Sequence, residues 1–156
     1  MRKRQKGFSL IELLIVVAII LIIAAIAIPN LLSARMSANE ASAVGSMRTL
    51  NTACITYSST WGIGFPAAFS NLGPAASASS TAADLIDSGL ISGTKSGYNF
   101  VYAGGAPDAS GVINTYAVNA NPSAPGQSGQ RYFYTDQSGV ITYAYGTAAG
   151  VSDVPL

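Results

Sequence analysis

Glu12 is the one charged residue in a run of 21 residues, Phe8–Ile28, that is otherwise apolar except for Ser9. An ionisable group at hydrocarbon depth is costly and calls for a named partner. The chain has no histidine and a single cysteine, Cys54. Histidine-dependent triads, a His/Cys zinc site and an intrachain disulfide are therefore all excluded. What remains for Glu12 is ion pairing, and no base lies within helical reach on its apolar side. A cut between Gly7 and Phe8 would create one. The new α-amino group would stand four residues from Glu12, at the start of the same helix. It could meet Glu12 of its own chain or of a neighbour. Such a pair offsets part of the desolvation cost of both charges and, between chains, fixes their axial register.

The element that must carry Glu12 is a helix. Twenty-one residues at about 1.5 Å each span roughly 30 Å, one bilayer core. Only a helix satisfies its own backbone there, so the many β-branched residues do not argue against it. Arg2, Lys3, Arg4 and Lys6 precede the run, which keeps the start cytoplasmic and sends the rest across. A secretory signal cut at Ala25-Ile26-Ala27 competes, but the apolar regions of such signals run about 7–15 residues. A plain single-span anchor explains length and orientation but not Glu12.

The run Gly7-Phe8-Ser9-Leu10-Ile11-Glu12, after a basic leader and before an apolar helix with Pro29, resembles the class III signal of type IV pilins and type II secretion pseudopilins. The resemblance covers about the first 30 residues. It implies that a membrane prepilin peptidase cuts after Gly7 and methylates the new amine of Phe8, and that this amine neutralises Glu12 during assembly. It also implies a head domain in which a long N-terminal helix lies across a small antiparallel sheet.

Beyond the membrane, Pro29 removes a backbone donor and is expected to kink or loosen the helix, with Asn30 and Ser33 at hand for the freed groups. Ala43, Met47, Leu50, Cys54, Tyr57 and Trp61 then follow a 4-3-4-3-4 spacing, one apolar stripe of a continuing helix. The other face carries Arg35, Asn39, Ser46, Asn51 and Ser58, and Gly62 and Gly64 end the helix. This stripe makes Cys54 a buried hydrophobe and Trp61 a core anchor. Residues 62–80 read as a mobile or partner-facing loop with room for a short turn of helix, and Thr81–Gly89 as a short capped helix carrying Asp84 and Asp87 one turn apart. Strands are expected at Tyr98–Ala103, Val112–Asn119, Arg131–Thr135 and Val140–Tyr145, as two hairpins joined by loop 120–130. Asp108-Ala-Ser-Gly-Val-Ile and Asp136-Gln-Ser-Gly-Val-Ile repeat one turn signal, in which Asp caps and Gly takes positive φ. Alternation sets Phe133, Ile141 and Tyr143 on one sheet face and Tyr132, Tyr134, Val140 and Thr142 on the other.

The expected fold is thus α+β and pilin-like. Residues 1–7 form a leader that is removed, 8–29 a membrane and assembly helix, 30–61 its amphipathic continuation, and 62–156 a globular head with the antiparallel sheet. Charged residues make up only 10%, against about a quarter in ordinary domains. Without residues 1–7, four bases face seven acids, a side-chain charge of −3, so nucleic-acid binding by phosphate neutralisation is not expected. Many type IV pilins close a C-terminal loop with two cysteines, which this chain lacks. Major pseudopilins bear a calcium site near the C-terminus, for which Asp136 and Asp153 are the available acids, although both also suit turn capping. No catalysis, cofactor or metal is expected. The role read is a structural subunit of a type IV pilus. The alternative is a pseudopilin of a type II secretion system, and behind it a tethered periplasmic enzyme or binding protein. Partners implied are further copies or other pilins, the prepilin peptidase, an inner-membrane assembly platform and lipid. The chain would begin as a single-pass inner-membrane protein with a periplasmic head, then join a surface pilus or a periplasmic pseudopilus.

Overall fold

The computed structural model of the protein describes residues 7–156, so the basic leader positions lie outside it. The chain divides into two compact units, one ending at Arg35 and one spanning Met36–Leu156. One helix, α1 (Leu10–Trp61), contributes to both. Its residues 10–35 include no buried side chain. Among the described residues α1 is the single helix long and apolar enough to cross a membrane. Pro29 lies inside it. Asn30 Nδ2 donates to the Ile26 carbonyl at 3.0 Å, which is Asn30's own i−4 carbonyl and not the Ala25 carbonyl that proline leaves without a donor.

In the second unit α1 ends where Gly62 donates its N–H to the Ser58 carbonyl at 3.0 Å in a left-handed conformation, φ +65°, as helix stops commonly do. The sheet is an antiparallel meander of β1 (Thr94–Lys95), β2 (Tyr98–Gly104), β3 (Tyr116–Pro122), β4 (Arg131–Asp136), β5 (Ile141–Tyr145) and β6 (Val154–Pro155), each strand paired with the next. β3 pairs with β4 as well as with β2, so the sheet is continuous where two joined hairpins were expected. β3 starts at Tyr116, four residues after the expected Val112. Residues 112–115 instead serve a long β2–β3 loop, where Ile113 bonds Phe65 and Ile63.

The predicted stripe packs the core. Ala43, Met47, Leu50, Cys54 and Tyr57 are buried against Tyr98, Phe100, Val118 and Phe133, with Trp61 half-buried at the edge. Fully burying a side chain such as Met47 or Leu50 contributes about 1.5–3 kcal/mol. Tyr57 and Trp61 rings lie 5.1 Å apart. Burial pushes the Cys54 thiol up to about 12, so it stays protonated and acts as a small hydrophobe.

Three expectations need correction. The 62–80 loop is tied down and not mobile, with Pro66 and Leu72 fully buried; the short helical turn that it has room for is a 3-10 turn at Phe69–Leu72. Residues 81–87 are not helical. Their N–H groups bond outward, Ala83 to Asn71 O, Asp84 to Gly73 O, and Leu85 and Ile86 to Leu72 O. The helix there, α2, covers only Ser88–Ile91 and is capped by Asp87, whose side chain accepts from Leu90 N. Asp84 is exposed with φ +53°, off that helix. Finally, Ser46 and Asn51 are buried and not on a solvated face. Asn51 donates to Thr135 Oγ1 at 3.0 Å and to Gly139 O at 3.2 Å, and accepts from Tyr116 OH at 3.1 Å. A buried amide satisfied this fully locks α1 to β3 and β4.

Candidate cleavage and assembly site

Residues 7–9 have no regular secondary structure, and the Gly7–Phe8 bond lies in this stretch, with Phe8 88% exposed. Among the described residues nothing lies within 4 Å of where a Gly7 side chain would begin. α1 begins one residue after Ser9. Glu12 turns back to this start, and its Oε2 accepts the Ser9 backbone N–H at 2.8 Å. This is the carboxylate half of a capping box, S-x-x-E. It satisfies one of the donors that every helix leaves open at its N-terminus and places an anion where the helix dipole favours one.

Glu12 therefore has a partner before any cut, contrary to the reading from sequence that it has none. The partner is neutral, and among the described residues no cation pairs with the carboxylate. Gly7, Phe8 and Glu12 are brought together at the helix start; Pro29 lies several turns away on the same helix. Ser9 was missed, although the Ser9-Leu10-Ile11-Glu12 spacing carries the capping signal.

The head is clamped by a pair that sequence reading also missed. Glu40 on α1 is buried and accepts from Gln130 N at 2.8 Å, Arg131 N at 3.1 Å and Arg131 Nε at 2.8 Å. Arg131 also lies over the rings of Phe133 and Tyr143, at 5.4 and 5.5 Å. Burial pushes the Glu40 carboxyl up, but the three hydrogen bonds and the Arg131 charge outweigh it and hold it below its ordinary value. With a depressed folded value, the stabilisation is complete above the unfolded carboxylate value, about 4.3, and is lost as pH falls through the folded one. Glu40→Gln is expected to destabilise the head by roughly 1.5–3 kcal/mol at neutral pH, with the gap to wild type closing in acid. Urea unfolding of the detergent-solubilised chain across pH measures this; a gap independent of pH contradicts it.

Asp136 and Asp153 serve turns. Asp136 Oδ1 accepts from Ser138 N at 2.9 Å, and Asp153 Oδ2 accepts from Gly150 N at 2.7 Å. Among the described residues no three His, Cys, Asp or Glu side chains gather as metal ligands would.

Residues 2–28 match the family model of the prokaryotic N-terminal methylation motif. Over 134 residues the chain is 34% identical to the type IV major fimbrial protein FimA of Dichelobacter nodosus, covering 77% of this chain and 76% of that one. The chain belongs to the type IV pilin family. Shorter matches centre on other pilins. The type IV wide pilus major component PilA4 of Thermus thermophilus is 66% identical over 38 residues, 24% of this pilin and 29% of that protein. The type IV major pilin protein PilA of Myxococcus xanthus is 50% identical over 50 residues, 32% of this pilin and 23% of that protein. The chain thus spans under a third of the length of two of these three relatives in the matched region. No solved structure matches it. The family's fold expectation, a long N-terminal helix with an antiparallel sheet, holds in this pilin.

Proposed function

We propose that the chain is a structural subunit of a type IV pilus on the cell surface, matured by a cut after Gly7 and N-methylation of Phe8. One observation carries the reading: likeness to a major fimbrial protein extends over 77% of the chain, well past the helix that all such proteins need. The accessible, irregular backbone at Gly7–Phe8 supports cleavage there. Residues 1–7 leave as the leader, 8–29 hold the subunit in the inner membrane and then in the filament, 30–61 continue the helix, and 62–156 form the head. The prepilin peptidase and an assembly platform in the inner membrane are the partners in maturation.

The assembly step is electrostatic. The cut turns Phe8 into an ammonium at the helix start. Glu12 of a neighbouring subunit, already turned toward its own helix start by the Ser9 N–H, accepts that charge. One methyl on the amine adds apolar surface and leaves the charge. The ion pair removes the reason for both groups to resist an apolar surrounding. Pro29, with no N–H to give, is where the helix loosens as it leaves lipid.

Imaging cells with antibody to the head tests the role. Long surface fibres carrying the antigen are expected. Antigen confined to the periplasm would contradict a surface pilus and favour the secretion-piston alternative.

A further inference from the structure

The two repeated turns differ in how their carboxylates are satisfied. Asp108 is exposed and accepts from Ser110 N, Val112 N and Asn114 Nδ2 at 2.8–3.0 Å. Asp136 is only 7% exposed, and a single donor, Ser138 N, reaches its Oδ1. Among the described residues nothing donates to its Oδ2, and no cation lies within 4 Å, since the ion pairs there are Lys95–Asp87 and Arg131–Glu40. Asp136 Oδ2 still reaches the surface, where a counter-charge can approach it. Asp136 lines an indentation of about 170 Å³ with Tyr134, Ser138, Val140, Thr142 and Val151. An acid set among an aromatic ring and aliphatic walls suits one chemistry: a basic side chain, its stem against the apolar walls and its charge at the acid.

We propose that Asp136 is a socket for Arg48 of a second copy of this chain. The inference rests on the filament reading above. Four bases follow the leader; Lys95 and Arg131 are already paired, and Arg35 belongs to the first compact unit, outside the one that carries Asp136. Arg48 is exposed, pairs with no acid among the described residues, and belongs to the same compact unit as Asp136. It lines a shallow groove of about 340 Å³ with Thr49, Thr52, Thr56 and Leu85 on the flank of α1. Phe133 and Thr135 are buried toward α1, so by strand alternation Asp136 stands on the opposite sheet face. Socket and Arg48 cannot meet within one chain. Joined between copies they make a heterologous contact, which closes into a ring or propagates as a helical filament, and the filament reading selects the second.

Full-length chains carrying Asp136→Asn, Arg48→Gln or both, in cells, test the contact. Yield of sheared filaments is normalised to membrane-held chain. Each single change is expected to lower yield roughly tenfold, and the double change no further, because both remove one interaction. Losses that multiply, or singles that assemble normally, overturn the contact. A second measurement does not depend on altering the socket. Filaments of Arg48→Lys treated with a zero-length carbodiimide should yield a cross-linked peptide joining position 48 of one copy to Asp136 of the next. Links from position 48 only to other carboxylates overturn it. Absence of filaments from wild-type cells would instead overturn the filament reading itself.

Discussion

Glu12→Ala is expected to yield a chain that is cut and membrane-held but assembles at least about a hundredfold less well. The magnitude follows from leaving a charged amine unpaired in an apolar surrounding, which costs about 3–5 kcal/mol. Part of any loss could come from the helix start, because Glu12 also accepts the Ser9 N–H. Glu12→Gln separates the two roles. Its amide oxygen still accepts from Ser9, so the cap remains, but the charge is gone. Glu12→Gln is expected to fail nearly as badly as Glu12→Ala. Filament yields from sheared cells, compared at equal amounts of cut chain, decide it. Normal assembly by the glutamine variant would make Glu12 a capping residue only.

Gly7→Val should block maturation altogether. Among the described residues a Cβ at Gly7 meets nothing within 4 Å, so the substitution carries no packing cost against them. Its effect must arise in the peptidase, where a residue without a side chain permits close backbone approach. The uncut chain keeps its leader, Phe8 gains no amine, and Glu12 gains no counter-charge. The expected result is a single slower-migrating species on gels and no filaments. A species of mature size would show that the cut lies elsewhere.

How much of this was legible in the sequence depended on whether the determining contacts were local. The Ala43–Trp61 stripe announced itself through helical spacing, and all of it packs on the core. The repeated Asp-x-Ser-Gly turns were legible for the same reason: Gly111 N bonds Asp108 O and Gly139 N bonds Asp136 O at 2.9 Å, each within four residues. Contacts across long stretches of chain left no such trace. Glu40 and Arg131 are 91 positions apart, and Asn51 looked like a surface residue until β3 and β4 closed over it. Residues 81–87 carry a respectable helix signal, but Asn71, Leu72 and Gly73 carbonyls claim the N–H groups, and tertiary bonding overrides propensity. At the candidate site the motif was plain from sequence. What the structure added is the Ser9 N–H, which gives Glu12 a defined position before any cut.

The central claim is that maturation at Gly7–Phe8 supplies the charge that Glu12 is placed to receive. Mass analysis of the N-terminal peptide from assembled chain tests it most directly. The expected peptide begins at Phe8 and carries one methyl group on its amine. A peptide beginning at Met1, or one starting at Ile28 after a cut at Ala25-Ile26-Ala27, would contradict it.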